Sequence, residues 1–117
     1  CAVEGQTLTL WGDGHARKDF LHFTGFLGAL ERVLTQRLTG TFNLSAGESH
    51  TVSEVIKLVE THTGRRVRLQ SQPAPAWDVQ DSRLDNARLV AATGWKPQIN
   101  LDEGIRRAAA GYGVHSR

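Results

Sequence analysis

The sequence predicts an α/β fold, a small sheet with about four helices, in a single domain spanning residues 1–117. Three observations predict it. The chain has 117 residues, the usual size of one domain, and no linker long enough to divide it. Short stretches alternating polar and apolar residues are interleaved with stretches whose apolar residues recur every three or four positions. With 39% hydrophobic and 22% charged residues, the composition is that of a chain that buries a core, which excludes disorder and collagen-like repeats.

Thr7-Leu8-Thr9-Leu10-Trp11 has the period-two pattern of a half-buried strand, and Gly12-Asp13-Gly14 ends it with turn chemistry. Asp19-Phe20-Leu21-His22-Phe23 predicts a second short strand. From Phe26 the period changes. Phe26, Leu27, Leu30, Val33, Leu34 and Leu38 form an apolar stripe on a helix expected to end near Gly40. Thr41-Phe42-Asn43-Leu44 reads as a strand, and Ser45-Ala46-Gly47 as a loop. Thr51-Val52-Ser53-Glu54 is a capping box that opens a helix with Val55, Ile56 and Val59 on one face and Gly64 as its stop. Val67-Arg68-Leu69-Gln70 returns as a strand. A loop containing Pro73 and Pro75 follows, then a helix from near Asp85 to Gly94. Asn100 or Asp102 can cap a last helix carrying Ile105, Ala108, Ala109 and Tyr112.

No apolar run approaches the ~18 residues of a membrane helix, and no secretory leader is recognisable, so no membrane partner is expected. The single cysteine, Cys1, excludes an internal disulfide and a cysteine-based zinc site, and a reducing cytoplasm is the expected compartment. The sequence contains no Met, and the chain is therefore expected to be a fragment of a longer product. Net charge is +2. The basic residues cluster at Arg65-Arg66-Val67-Arg68 and Arg106-Arg107 without the interleaved aromatics that single-strand binders use. No specific nucleic-acid partner is expected, only weak and salt-sensitive binding.

Histidines 15, 22, 50, 62 and 115 include no pair at i, i+4 spacing, so no metal site is expected. Ser49-His50 could form a nucleophile and base, but adjacent residues at a helix entry rarely face one another, and polar capping is the better reading. The carboxylates show no acid–base pair. Gly12-x-Gly14 follows a strand, yet a dinucleotide fingerprint needs a third glycine and then a helix, so a turn is expected instead. By chemistry alone the chain reads as a binding domain with no catalytic residue of its own.

Eight segments, in order over about residues 5–112, carry a resemblance: Leu10–Gly14, Lys18–Phe23, Thr41–Leu44, Thr51–Val55, Asp78-Val79, Leu84-Asp85, Thr93–Pro97 and Leu101–Ile105. Together they resemble the C-terminal, substrate-binding part of NAD-dependent nucleotide-sugar epimerases and dehydratases of the extended short-chain dehydrogenase family, whose best-known type is UDP-glucose 4-epimerase. The resemblance implies that an N-terminal Rossmann lobe holds NAD through GxxGxxG and supplies a YxxxK pair for hydride transfer. Neither motif is in this sequence, and its one tyrosine, Tyr112, is not followed by lysine at the fourth residue. The chain resembles the nucleotide-gripping lobe, expected to bind no cofactor and to be inert alone.

Carried over by position, the resemblance implies that Thr9 and Trp11 line the nucleobase of a UDP-sugar or similar ligand. Lys18 stands where the family has an arginine at the phosphate–ribose region, Val52 matches an apolar residue beside the nucleotide, and Asp78 matches an acid for the ribose hydroxyls. An aromatic wall, a cation and a carboxylate suit such a ligand. The residues alone leave other readings open: Trp11 as core, Lys18 as a solvated charge, Asp78 as a turn cap. Trp95 resembles a Gly-Trp-x-Pro step and is expected to pack between the last two helices. Three departures stand out. Pro75 occupies the place of a second arginine, Lys18 replaces a bidentate fork with a point charge, and Thr24-Gly25 replaces an acidic pair. Altered substrate choice, a weakened grip or relaxed catalytic constraint would follow. The alternative function is a free-standing adaptor or small-ligand module that kept the lobe's fold. A lobe parted from the Rossmann half is expected to expose apolar surface and to form homo-oligomers.

Overall fold

The computed structural model describes residues 1–113, so His115 lies outside the described residues. Its elements are β1 (Thr7–Trp11), β2 (Arg17–Asp19), α1 (Phe23–Thr35), β3 (Ser49–Thr51), α2 (Val52–Thr63), β4 (Arg68–Gln72), α3 (Ala87–Thr93) and α4 (Leu101–Gly111). Among the described residues this is the small α/β arrangement with four helices that the alternating periods predict. The strands form two pairs. β1 and β4 run parallel, from Thr7 opposite Arg68 to Trp11 opposite Gln72. A parallel pair needs a crossover, here supplied by the intervening helices. β2 and β3 are antiparallel, with Lys18 opposite His50.

Local signals set most boundaries. Thr51 Oγ1 accepts from the Glu54 amide at 3.1 Å, which starts α2. The other half of the predicted box is not made, because the Glu54 carboxylate lies 3.1 Å from His50 Nδ1 instead. Gly64 and Gly94, with φ of 66° and 70°, end α2 and α3 in left-handed caps. Asn100, rather than Asp102, caps α4 by accepting from the Glu103 amide at 2.9 Å.

Three expected secondary-structure elements are corrected. The segment expected to be a strand at 19–23 is extended only to Asp19, since His22 caps α1 with its ring Nδ1 accepting from the Thr24 amide at 3.3 Å. α1 ends at Thr35, before Gly40. Arg37 takes the left-handed position with φ of 51°, and the amides of Arg37 and Leu38 close onto the carbonyls of Leu34 and Val33 at 3.2 and 3.0 Å. Thr41–Leu44 pairs with no described strand. Arg88 Nη1 holds the Thr41 carbonyl at 2.9 Å and Asn43 Nδ2 the Asp85 carbonyl at 3.2 Å, while Phe42 and Leu44 still pack on the core.

That core is Ala29 of α1, Leu89 of α3 and Trp95, with Leu21, Val33 and Val90 around them. Trp95 therefore lies against α1 and α3 rather than between the last two helices. A Cβ at Gly28 would stand 3.6 Å from its indole, so the small residue lets the helix approach the ring. α2 and α4 are joined through His62, buried, whose Nε2 donates to Asp102 Oδ1 at 2.9 Å. The molecule is a slab of 45 × 38 × 16 Å with a radius of gyration of 16.4 Å. A compact chain of this length would have about 13 Å. One side of α1 is left uncovered: Phe23, Phe26, Leu27, Leu30 and Leu34 are all exposed.

Candidate functional site

The site residues named from sequence gather around the turn that links β1 to β2. Alternation along β1 buries Leu10 and turns Thr9 and Trp11 to the other face, where both are exposed. The chain then reverses through Gly12 and Gly14, whose φ values are 91° and 84°. A Cβ at Gly14 would collide with Ser53 Oγ, so both the backbone angle and the space require glycine there.

The start of α2 ties this turn down. The Val52 amide donates to the Ala16 carbonyl and the Ser53 amide to the Gly14 carbonyl, both at 3.0 Å, and Ser53 Oγ adds a bond of 3.0 Å to the Gly14 carbonyl. With the Glu54 amide on Thr51, the first three amides of α2 are occupied. This helix N-terminus holds its own chain, not an anion. Val52 sits half-buried at that junction.

β2 carries the turn onward and sends its side chains to opposite faces. Arg17 binds Ser49 Oγ at 3.1 Å and the Ser49 carbonyl at 2.8 Å. Lys18 points the other way: its Nζ lies 2.6 Å from the Val79 carbonyl and 3.3 Å from Asp78 Oδ1. Asp78 itself closes a tight turn, its amide donating to the Pro75 carbonyl at 3.0 Å. Pro75 has no amide to donate, but its carbonyl is used. Two of the five named residues, Lys18 and Asp78, are thus in direct contact across 60 positions of sequence. Trp11 and Val52 border the same turn, and Thr9 lies one strand step behind Trp11. None of the five lines the apolar cavity of about 300 Å³ between α2, α4 and residues 1–4.

Other polar residues act here without a local sequence signal. Asp19 accepts from the amides of Ala46 and Gly47 at 2.9 and 3.0 Å, clamping the loop before β3. Ser49 and His50 do not form a pair, since Ser49 serves Arg17 and His50 faces Glu54. Trp77, next to Asp78, is 82% exposed. Only a large aromatic residue beside a proline-rich loop could have drawn attention to it. The Asp13 carboxyl is lowered by hydrogen bonds from His15. On α4, hydrogen bonds from Arg106 and then Arg107 hold Glu103 at about 2, so both arginines of that basic cluster are paired with one carboxylate. Among the described residues no three of His, Cys, Asp and Glu are placed to hold a metal ion, and no helix is long and apolar enough to cross a membrane.

Known proteins match this architecture. The family described as GDP-mannose 4,6 dehydratase matches the sequence over residues 1–108. UDP-glucuronic acid decarboxylase 1 of Danio rerio is 26% identical over 106 residues, covering 91% of this chain and 25% of that protein. UDP-glucose 4-epimerase of Mycolicibacterium smegmatis is 29% identical over 106 residues, covering 90% of this chain and 34% of that protein. Among solved structures, the Thermus thermophilus UDP-glucose 4-epimerase complex with NAD superposes with a TM-score of 0.81 at 30% identity, covering 90% of this chain and 35% of that one. The Thermotoga maritima UDP-glucose 4-epimerase with UDP-glucose gives 0.83 at 25% identity, covering 96% and 36%. The chain spans a quarter to about a third of the length of these relatives. With the family matched over most of its length, the chain belongs to the NAD-dependent nucleotide-sugar epimerases and dehydratases.

Proposed function

We propose that the chain is the substrate-nucleotide-binding lobe of an NAD-dependent nucleotide-sugar epimerase or dehydratase, and that it grips a UDP-sugar or a close analogue. The observation that carries this reading is the contact of Lys18, on β2, with Asp78; the exposed Trp11 ends the strand at the other side of the β1–β2 turn. A cation and a hydroxyl acceptor in contact, together with an exposed aromatic face, are the groups a diphosphate nucleoside would use. Lys18 takes the phosphates, Asp78 the ribose hydroxyls, Thr9 and Trp11 the base, and Val52 packs beside the nucleotide. NAD, when bound by the remainder of such an enzyme, supplies the hydride chemistry. This chain holds no GxxGxxG and no YxxxK, so its own residues bind and orient.

The Lys18–Asp78 contact also sets how binding works. The pair is partly exposed, 34% and 23% by side chain, so it holds together by roughly 0–1 kcal/mol. A diphosphate can displace Asp78 from Lys18 at little expense, and the released carboxylate is then free to accept from hydroxyls. With Pro75 removing one cation, millimolar affinity is expected for this chain alone, about 4 kcal/mol.

A backbone NMR titration with UDP tests the reading. Thr9, Trp11, Lys18, Val52 and Asp78 should shift together, and Lys18→Ala should weaken UDP about fivefold to tenfold while leaving uridine nearly unchanged. Shifts confined to the arginines at 65–68 and 106–107 would defeat it. The absence of any response would favour an adaptor.

A further inference from the structure

The loop from Pro73 to Asp78 presents the most exposed large apolar side chain among the described residues, Trp77 at 82%. A lone surface tryptophan is unremarkable in itself. Here the backbone beneath it is fixed at three points. The Gly12 amide donates to the Gln72 carbonyl at 2.8 Å, and the strand end approaches the loop so closely that a Cβ at Gly12 would stand 3.3 Å from that of Ala74. Pro73 and Pro75 restrict the backbone between. The Asp78 amide closes the turn on the Pro75 carbonyl at 3.0 Å, with Trp77 at its third position, and Lys18 grips both Asp78 and the Val79 carbonyl from below. No more than about 11 Å of chain separates Ala74, beside the end of β1, from Trp77. The indole N–H has no partner among the described residues. A rigid turn thus holds a free aromatic plate one residue from the Asp78 carboxylate, on a loop whose Ala74 abuts Gly12 at the end of β1.

We propose that Trp77 is a ligand-binding residue that stacks on the planar base of the bound nucleotide, a role that rests on the nucleotide-binding reading above. Every base has a π face, so stacking on an indole adds affinity with little choice among bases. The turn is already ordered by its prolines and by the Asp78 amide on the Pro75 carbonyl, so little freedom is lost when the base arrives. The contact is therefore expected to favour ligands that carry a base over the same sugar phosphate without one.

The test uses the full natural chain and two probes, UDP and ribose 5-phosphate, in calorimetric titrations of the unaltered protein, Trp77→Ala, Trp77→Leu and Trp77→Phe. Trp77→Ala and Trp77→Leu should each weaken UDP about tenfold, Trp77→Phe should retain most of the affinity, and ribose 5-phosphate should bind all four alike. The leucine variant keeps apolar bulk without a π face and stands in if the alanine variant misfolds. Unchanged UDP binding in the alanine or leucine variant overturns the proposal and leaves the nucleotide reading intact. Equal loss for both ligands also overturns it, because it would mark a merely structural tryptophan. Failure of UDP to bind the unaltered protein removes the nucleotide reading and this proposal with it.

Discussion

Gly14 offers the sharpest test of how the site is held. An alanine there must keep a φ of 84°, and its Cβ must push Ser53 Oγ aside. The backbone alone disfavours the change by about 1–2 kcal/mol. Displacing Ser53 Oγ also breaks its 3.0 Å bond to the Gly14 carbonyl, worth about 0.5–1.5 kcal/mol net. Gly14→Ala should therefore destabilise by about 2–3 kcal/mol. With a urea slope of ~1.5 kcal/mol/M, the midpoint falls by roughly 1.5–2 M. Ser53→Ala alone removes only the hydrogen bond and should cost about 1 kcal/mol. In the double variant the collision is gone and the bond is lost only once, so the two effects should fall short of additivity by about 1 kcal/mol. Urea unfolding of the four proteins measures this. An alanine at position 14 that costs less than ~0.5 kcal/mol, or two effects that simply add, would refute the account of the turn.

Two further outcomes follow from the core and from α4. Trp95→Ala removes a ring that is 4% exposed at the centre of the α1–α3 contact, and should cost about 3–5 kcal/mol in urea unfolding; a loss below 1 kcal/mol would mean that the core lies elsewhere. Glu103 is held at about 2 against an ordinary value of 4.5, so its pairing with Arg106 and Arg107 stabilises α4 above about pH 4.5 and is lost as pH falls through about 2. Glu103→Gln should accordingly lower the thermal midpoint at pH 7 and match the unaltered protein near pH 2, and an equal deficit at both would exclude the linkage.

Much of the fold was legible because its signals are local. Thr51, Gly64, Gly94 and Asn100 each act on amides or carbonyls within a few residues, and each does what its chemistry implies. Where a different residue took the expected role, boundaries moved. An imidazole caps α1 in place of the usual hydroxyl or carboxylate, and an arginine occupies the left-handed position where glycine is common. Thr41–Leu44 alternates as a strand does because Phe42 and Leu44 face the core, but alternation carries no information on whether a neighbour exists to complete a ladder. The site shows the same division. The motifs name Trp11, Lys18 and Asp78 one by one. Their relation is tertiary: the Lys18–Asp78 contact spans 60 positions, and the Asp19 clamp on the Ala46 and Gly47 amides spans 27 and 28. No spacing rule could have found either.

The apolar side of α1 connects this geometry to the proposed function. Phe23, Phe26, Leu27, Leu30 and Leu34 recur at helical spacing, and each is between 41% and 66% exposed. Full burial of such a side chain is worth about 1.5–3 kcal/mol. With roughly half of each already covered, the stripe withholds about 4–8 kcal/mol, comparable to the whole stability of an ordinary domain. A 16 Å slab has no depth in which to bury it, because a second layer of helix or sheet would add about 10 Å. The relatives carry about two-thirds of their length beyond the part this chain matches, enough for such a layer. Under the proposed function, the stripe is where the NAD-holding part packs. The grip of the isolated chain on a nucleotide is then the lower bound of the assembled one.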